Sequence, residues 1–419
     1  MFDLPPPAES TPPPDLLGQF LPVWSPIVGS DGRPLGMRVQ LRRGAHANQE
    51  PNASLAAALD AVIGGFAQDG GVGFPHGMVV LAPQDIALDA SMLSWHAPRN
   101  AVLELPASVL GDDESLRFLC EVHRCGTRFA LRLGPSDAIP DARRLAMFQY
   151  VVIGASRLEG GALPSALKGA AILIADEGNV QRAKASLAAK VHGLVGWALI
   201  TQATPTEHAL APMQQAVLEL IQLVQSDAEV AALETAFKRQ PLLAYMLLTL
   251  ANSPAFIRST PIGSVRHAIS LLGYRRLVKW LVLLLVVASK NAKALPQIYG
   301  AVARGFLMEN LALANHAPSH TQDECFVVGA FSLLGAITGQ SLESLLTQAS
   351  LPESITAALL HQQGPLNAYL QLTLAIEDPG CGHTERISAA AQALHLDLQT
   401  VNRALLQALS ATDALHSAV

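Results

Sequence analysis

A switch of hydrophobic periodicity near residue 205 constrains this chain more than any other feature. From about Leu21 to Pro205, short β-type runs alternate with amphipathic helical stretches; beyond Pro205 the β-type runs stop. The strand candidates are MRVQL (37–41), MVVLA (78–82), AVLEL (101–105), RFALRL (128–133), YVVI (150–153), AILIA (171–175) and VGWALI (195–200). Helical patterns lie between most of them, at 53–66, 113–124 and 180–190. Such alternation pairs strands in parallel through right-handed crossovers, so the first half predicts an α/β fold. Seven strands in this length predict a trimmed or incomplete relative of the eight-stranded barrel, which usually takes about 250 residues.

The remainder predicts helices throughout. Met213–Gln225 carries Val217, Leu218, Ile221 and Val224 at helical spacing, and Ser226 with Glu229 reads as a capping box opening the next helix. Pro241 sits at a first helical position for a segment that ends before Pro254. Ser264 starts another helix, and Gly273 is placed to stop it. Helical periodicity runs to about Leu415. The start of the chain, with Pro5, Pro6, Pro7, Pro12, Pro13 and Pro14, predicts a flexible polyproline-like tail over 1–18. The expected organisation is therefore that tail, an α/β domain over 19–205 and an all-helical domain over 206–419.

Several function classes are disfavoured by composition. Half of the 419 residues are apolar, largely Ala and Leu, which supports packed helices over disorder. A formal net charge of −6 gives no broad electrostatic footprint for nucleic acid. Cys120, Cys125, Cys325 and Cys381 are too few and scattered for a disulfide framework and fit a reducing compartment. The N-terminus lacks the basic and apolar regions of a signal peptide. The most apolar run, Trp280 to Ala288, is far short of the roughly 20 residues a membrane helix needs, and predicts a buried helix. Together these predict a cytoplasmic protein without membrane insertion.

Residues with metal-binding chemistry form no convincing site. Cys120, His123 and Cys125 stand at i, i+3 and i+5, which do not converge on one ion. Pro318 separates His316 from His320, and Cys381 with His383 reads as a turn. No P-loop or nucleophile elbow is present. Arg258, Arg266, Arg275, Arg276 and Lys279 form a basic stripe, expected to be solvated and salt-bridged, with an acidic partner as the alternative.

The stretch LLTLANSPAFIRSTPIGSVRHAISLLGYRRLVKW (247–280) resembles the HDOD signature through Leu250, Ala251, Asn252, Ser253, Ile262, Ser264, Ala268, Ile269, Leu272 and Gly273. VGAFSLLGAI (328–337) resembles a stretch of EAL–HDOD tandem proteins. In the first half, WSPIVGSDGRPLGMRVQLRR (24–43), VLELPAS (102–108) and GWALITQATP (196–205) resemble the opening, third-strand and closing segments of an EAL domain. The resemblance implies a degenerate EAL-type TIM-like barrel followed by an all-helical HDOD domain, in a bacterial signalling protein.

Active EAL domains hydrolyse cyclic di-GMP with divalent metals held by carboxylates and an amide. Carried over by resemblance, the signature Glu is Arg38, followed by Val39, Gln40, Leu41 and Arg42. The second-strand Asn becomes Val80, and the Asp-Asp pair becomes Leu131 and Arg132. The fifth-strand Lys and Asp become Val152 and Gly154, and the closing Gln is Val195. Glu104 persists, and Asp176 or Glu177 stands for the late Glu. A guanidinium beside a divalent ion at 4 Å would repel it by about 8 kcal/mol at an effective dielectric near 20. The HD metal ligands likewise give way to Phe331, Ser332, Leu333, Leu334 and Gly335.

These replacements predict no enzyme activity, no catalytic residues, no metal and no cofactor. Arg42 and Glu104 are the holdovers of a nucleotide pocket: Arg42 could meet a phosphate, while Glu104 could instead cap a strand end. The expected function is a regulator or scaffold that binds protein partners. The alternative is a receptor that binds cyclic di-GMP without hydrolysis, and a weaker third is a hydrolase within the helical half. Partner, pathway and oligomeric state do not follow from the residues.

Overall fold

The computed structural model describes residues 16–44, 54–67, 73–84, 86–158, 162–175, 191–201, 212–252, 262–287, 294–349, 351–378 and 383–418. Eight strands close into a barrel in chain order: β1 Phe20–Gly29, β2 Pro34–Arg43, β3 Met78–Pro83, β4 Ala101–Pro106, β5 Phe129–Leu133, β6 Tyr150–Gly154, β7 Ile172–Ala175 and β8 Gly193–Val195. From β2 to β8 every pairing is parallel, whereas β1 runs antiparallel to both of its neighbours. The barrel is thus complete, where periodicity predicted seven strands; the one it left out is β1, part of which the EAL resemblance had placed in the opening strand pair at 24–43. Two prolines, Pro22 and Pro26, hide it. From Phe20 to Pro26 that strand is paired only with β2, and an edge without a ladder tolerates a residue that cannot donate.

The other expected strand over 195–200 also differs. β8 ends at Val195, and Ala198–Thr201 is a helical turn. An apolar run this short fits either state, and its packing against the helical half decides for helix.

Between the strands lie α1 (Leu55–Gly65), α2 (Asp113–Arg124) and the single turn α3 (Ala142–Leu145); the turn at Ala198–Thr201 is α4. Ser54 and Asp112 cap α1 and α2 by accepting from the Ala57 and Ser115 amides. The helical pattern over 180–190 falls outside the described residues, as do residues 1–15 of the expected tail. Leu16–Gln19 forms a 3₁₀ turn with Leu17 buried.

Everything described after the barrel is helical: α5 Pro212–Gln225, α6 Val230–Lys238, α7 Pro241–Ala251, α8 Val265–Val287, α9 Leu295–Ala314, α10 Ser319–Phe331, α11 Leu334–Thr338, α12 Leu342–Ala349, α13 Glu353–His361, α14 Pro365–Glu377, α15 His383–Ala393 and α16 Leu398–Ala418. Gly273, at φ 71°, breaks α8 in two as expected. The expected capping box does not form. Glu229 itself is the N-cap of α6, while Ser226 donates back to the Leu223 carbonyl at 3.1 Å. Among the described residues, no helix is long and apolar enough to cross a membrane.

In the motif around 250–273 the described polar members Asn252 and Ser264 each have a structural reason, while Ser253 lies outside the described residues. Asn252 pairs with the backbone of Ile262 in both directions, accepting from its N–H at 2.7 Å and donating to its carbonyl at 2.9 Å. It thereby ties the end of α7 to the segment before α8. The Ser264 hydroxyl accepts from the His267 amide, and Ala268, Ile269 and Leu272 are buried.

Crossing helices α9 and α10 meet at Gly329. A Cβ there would lie 2.5 Å from the Arg304 carbonyl oxygen and 2.7 Å from the Gly305 nitrogen, both backbone atoms. Neither can move without shifting a helix. Gly329→Ala is therefore expected to destabilise the chain by about 1–3 kcal/mol through overpacking. Thermal unfolding measures it, and an unchanged midpoint would contradict this account of the crossing.

The two halves pack as one body of apolar contacts. α16 runs along the barrel, where the Asn402 amide donates to the Leu17 and Phe20 carbonyls at 2.8 Å each. Further along, the Asp413 carboxylate accepts from the backbone N–H groups of His76 at 2.6 Å and Gly77 at 3.2 Å. These contacts place α16 across the wall at β1 and hold the helical half over the mouth of the barrel.

Candidate functional site

Inside the barrel, alternation along each strand separates floor from mouth. Ile27, Val80, Val102, Ala130, Val152, Leu173 and Val195 form a closed apolar cluster of their own. Two residues onward along β4, β5, β6 and β7 the same face carries Glu104, Arg132, Gly154 and Ala175. On β2 that face carries Arg38 and Gln40, with Ser25 of β1 opposite Arg38. The floor is dry and the mouth is polar.

Arg38 and Glu104 meet there in a fork. The guanidinium donates from Nε to Oε2 at 2.7 Å and from Nη2 to Oε1 at 2.6 Å. Arg132 approaches the same carboxylate, Nε to Oε1, at 3.4 Å. The Glu104 side chain is 1% exposed and Arg38 9%, whereas Arg132 is 39% exposed. Two cations share one buried anion, so this corner of the mouth carries net positive charge.

A second buried pair comes from the helical half. Arg304 of α9 donates from Nη2 to Glu377 Oε2 at 2.7 Å and from Nε to both carboxylate oxygens at 3.0 Å. Its Nη1 donates to the Ser332 hydroxyl at 2.9 Å. The guanidinium also lies over the Trp197 ring of the barrel, 5.2 Å from the centroid. Burial pushes the Glu377 carboxyl above the ordinary carboxylate range, while Arg304 pulls it back. Trp197 in turn donates to the Trp24 carbonyl, and Gln297 donates to the Leu199 carbonyl at 2.8 Å. Through these contacts the end of β8 and α4 are seated in the helical half.

Between the two pairs lies a cavity of about 910 Å³. Ser25, Arg38, Gln40 and Trp197 line its barrel side, while Arg304, Gln371, Glu377, Asp378 and Arg386 line its helical side. Arg386 of α15 holds Asp378 at 2.7 Å across the rim.

Of the residues expected in a nucleotide pocket, Glu104 is at the mouth, and it anchors Arg38 instead of capping a strand end. Arg42 is not part of the cavity wall; its Nη2 reaches Gln40 Oε1 at 3.3 Å. Val80, Arg132, Val152, Gly154 and Val195 share the inner face, whereas Leu131 packs in the outer core. Asp176 and Glu177 fall outside the described residues. Sequence reading did not find Trp197, Arg304, Glu377 or Arg386. An arginine in the apolar stretch of α9 was the one available signal, because a buried guanidinium requires a carboxylate partner.

The divalent ions that the EAL resemblance implies do not fit the described residues. Both Glu104 oxygens are engaged by guanidinium groups, and no group of three or more His, Cys, Asp or Glu among the described residues could hold a metal. In the cysteine–histidine stretch, Cys120 faces the Met147 sulfur at 3.6 Å and His123 Nδ1 lies 3.1 Å from the Thr127 carbonyl oxygen. Phe331, Leu333 and Leu334 are buried core. The basic stripe is neutralised locally: Arg266 pairs with Glu234, Arg275 with Asp323, and Lys279 with Glu309 and Asp323. Arg258 and Cys381 lie outside the described residues.

The HDOD domain family model matches residues 210–343, a span that contains the whole 247–280 motif. Residues 210–343 are an HDOD domain. The helices that cap the cavity, α14 and α15, and the strap α16 follow that matched span. A curated protein of Vibrio cholerae named cyclic di-GMP phosphodiesterase CdgJ is 27% identical over 188 residues, 45% of this chain and 42% of that protein. A Bacillus subtilis protein, uncharacterized protein YuxH, is 27% identical over 143 residues, 33% of this chain and 34% of that one. The chain thus spans less than half the length of either relative.

The first of these relatives corrects the expectation that the chain is no enzyme. That expectation rested on replaced side chains alone, whereas a relative at this identity carries a phosphodiesterase name. The Arg38–Glu104 fork describes one wall of a mouth whose β7–β8 connection, 176–190, falls outside the described residues. It does not show activity lost.

Proposed function

We propose that this chain is a regulator of cyclic di-GMP signalling, in which an EAL-type barrel binds the dinucleotide at its mouth and the helical half conveys binding to a protein partner. The observation that carries the reading is the charged cavity between the halves. Three arginines (Arg38, Arg304 and Arg386) line it with two carboxylates (Glu377 and Asp378), while Glu104 pairs with Arg38 and Arg132 outside that lining. The excess cation suits a ligand with two phosphodiesters, since guanidinium groups match phosphate geometry. The volume lies within the range of about 300–1,000 Å³ that small-molecule sites occupy. Trp197 supplies an aromatic wall for a base.

The same reading divides the chain into a proline-rich tail over 1–18, the barrel over 19–205 and a helical unit over 206–419. All described strands end by Val195 and the HDOD match begins at 210, which supports that division. Scattered cysteines support a cytoplasmic setting.

Titration calorimetry of the full chain with cyclic di-GMP tests the proposal. A saturable heat with a dissociation constant in the micromolar range is expected, and no heat at tens of micromolar ligand would sink it. The same samples with magnesium or manganese, followed for the linear dinucleotide, measure whether the activity named for the relative is carried here.

A further inference from the structure

Three arginines line the cavity, and they are not equivalent. Arg38 and Arg304 are each buried and each gripped by a carboxylate through two or more hydrogen bonds. Releasing either would leave a buried glutamate without its partner, so both act as fixed walls. Arg386 is different. Its side chain is 47% exposed and meets Asp378, itself 51% exposed, through a single 2.7 Å contact. An ion pair of that kind is weak in water, because both charges are already well solvated.

A phosphodiester offers the guanidinium a better partner than Asp378 does. It can be met by two parallel N–H groups, and inside a cavity it is screened less than a surface carboxylate. Arg386 reaches the cavity from α15, opposite the barrel wall formed by Ser25, Arg38 and Gln40. Asp378, one residue past α14, and Gln371 within it belong to the same helical wall. A ligand held at the mouth therefore touches the helical half as well as the barrel.

We infer that Arg386 is a phosphate-contacting residue of the barrel-mouth site, so that a cyclic dinucleotide is held between the two halves by exchanging Asp378 for a ligand phosphodiester on the Arg386 guanidinium. This rests on the dinucleotide-binding reading given above and adds to it that the site is composite. Binding then depends on α15, which lies beyond the matched HDOD span, and ligand occupancy is reported directly to the helical half.

The test compares the full-length wild type with Arg386→Ala, Arg386→Glu and Asp378→Asn by titration calorimetry with cyclic di-GMP. Losing a charge-assisted contact is expected to weaken binding by about 10- to 100-fold in Arg386→Ala, and further in Arg386→Glu. Asp378→Asn removes the competing carboxylate, and is expected to bind as tightly as the wild type or tighter. Unfolding midpoints of all three should match the wild type, because the pair is exposed. Wild-type binding with both Arg386 variants within twofold of it overturns the composite site and leaves the dinucleotide reading standing. Absence of any wild-type heat overturns the dinucleotide reading itself, and the composite site with it.

Discussion

Replacing Glu104 with alanine is expected to lower the unfolding free energy by about 3–5 kcal/mol. The side chain is buried and neutralises Arg38 through two hydrogen bonds, with Arg132 alongside. An arginine cannot shed its proton to escape a buried position. Truncation would leave two guanidinium groups at the barrel mouth, one of them 9% exposed, facing each other without a counter-ion. Urea unfolding of the variant measures the loss. The paired replacement Arg38→Met with Glu104→Leu removes both charges together, and is expected to restore most of the stability or exceed it. Equal losses in the single and double variants would contradict the pairing.

The pair of Arg304 and Glu377 should respond asymmetrically. Glu377→Ala is expected to cost about 3–5 kcal/mol, because Arg304 stays charged beneath Trp197 and Ser332. Arg304→Ala is milder at low pH, since the stranded carboxyl can take up a proton. Its folded pKa is already raised from 4.5 by burial, and losing Arg304 raises it further. A raised folded pKa contributes stability that is fully present below the unfolded value and is lost as pH rises through the folded one. The destabilisation by Arg304→Ala should therefore be smallest below about pH 4.5 and grow as pH increases. Glu377→Ala should show no such growth from this position. Denaturant titrations at several pH values read the difference, and parallel pH profiles for the two variants would contradict it. Because Arg304 also stacks on the barrel's Trp197, both variants should loosen the contact between the halves.

Much of this fold was legible in the residues, for reasons that also explain the failures. The helices at 113–124 and 213–225 announced themselves by period, and Gly273 by its placement as a helix stop. β1 was legible only through the resemblance at 24–43 and not by periodicity, because its prolines look prohibitive until one knows that most of the strand lacks a second neighbour. Ser226 and Glu229 matched a capping box by spacing alone, yet Asp227 takes a left-handed conformation and the helix starts three residues later than the pattern implied.

The site was harder. Glu104 was identified as a mouth residue, and Arg38 as its altered neighbour on β2, but their pairing depends on barrel register across 66 positions. Arg132 rather than Leu131 faces inward, a distinction of one residue that alternation decides only once the register is known. Arg386 lies far along the chain on a helix that no motif connected with the barrel. Its approach to the mouth follows from how α16 anchors the helical half through Asp413 and Asn402. That geometry is tertiary and leaves no local trace. The inference of lost enzyme activity failed for a related reason: substitutions at single positions were taken to decide the chemistry of a mouth that several loops complete.

The most direct test is a crystal structure of the full chain grown with cyclic di-GMP. Ligand density between the barrel wall at Arg38 and the helical wall at Arg386, with Arg386 turned from Asp378 onto a phosphodiester, is the predicted result. Ligand bound elsewhere on the chain, or a cavity holding only solvent at saturating dinucleotide, would contradict it.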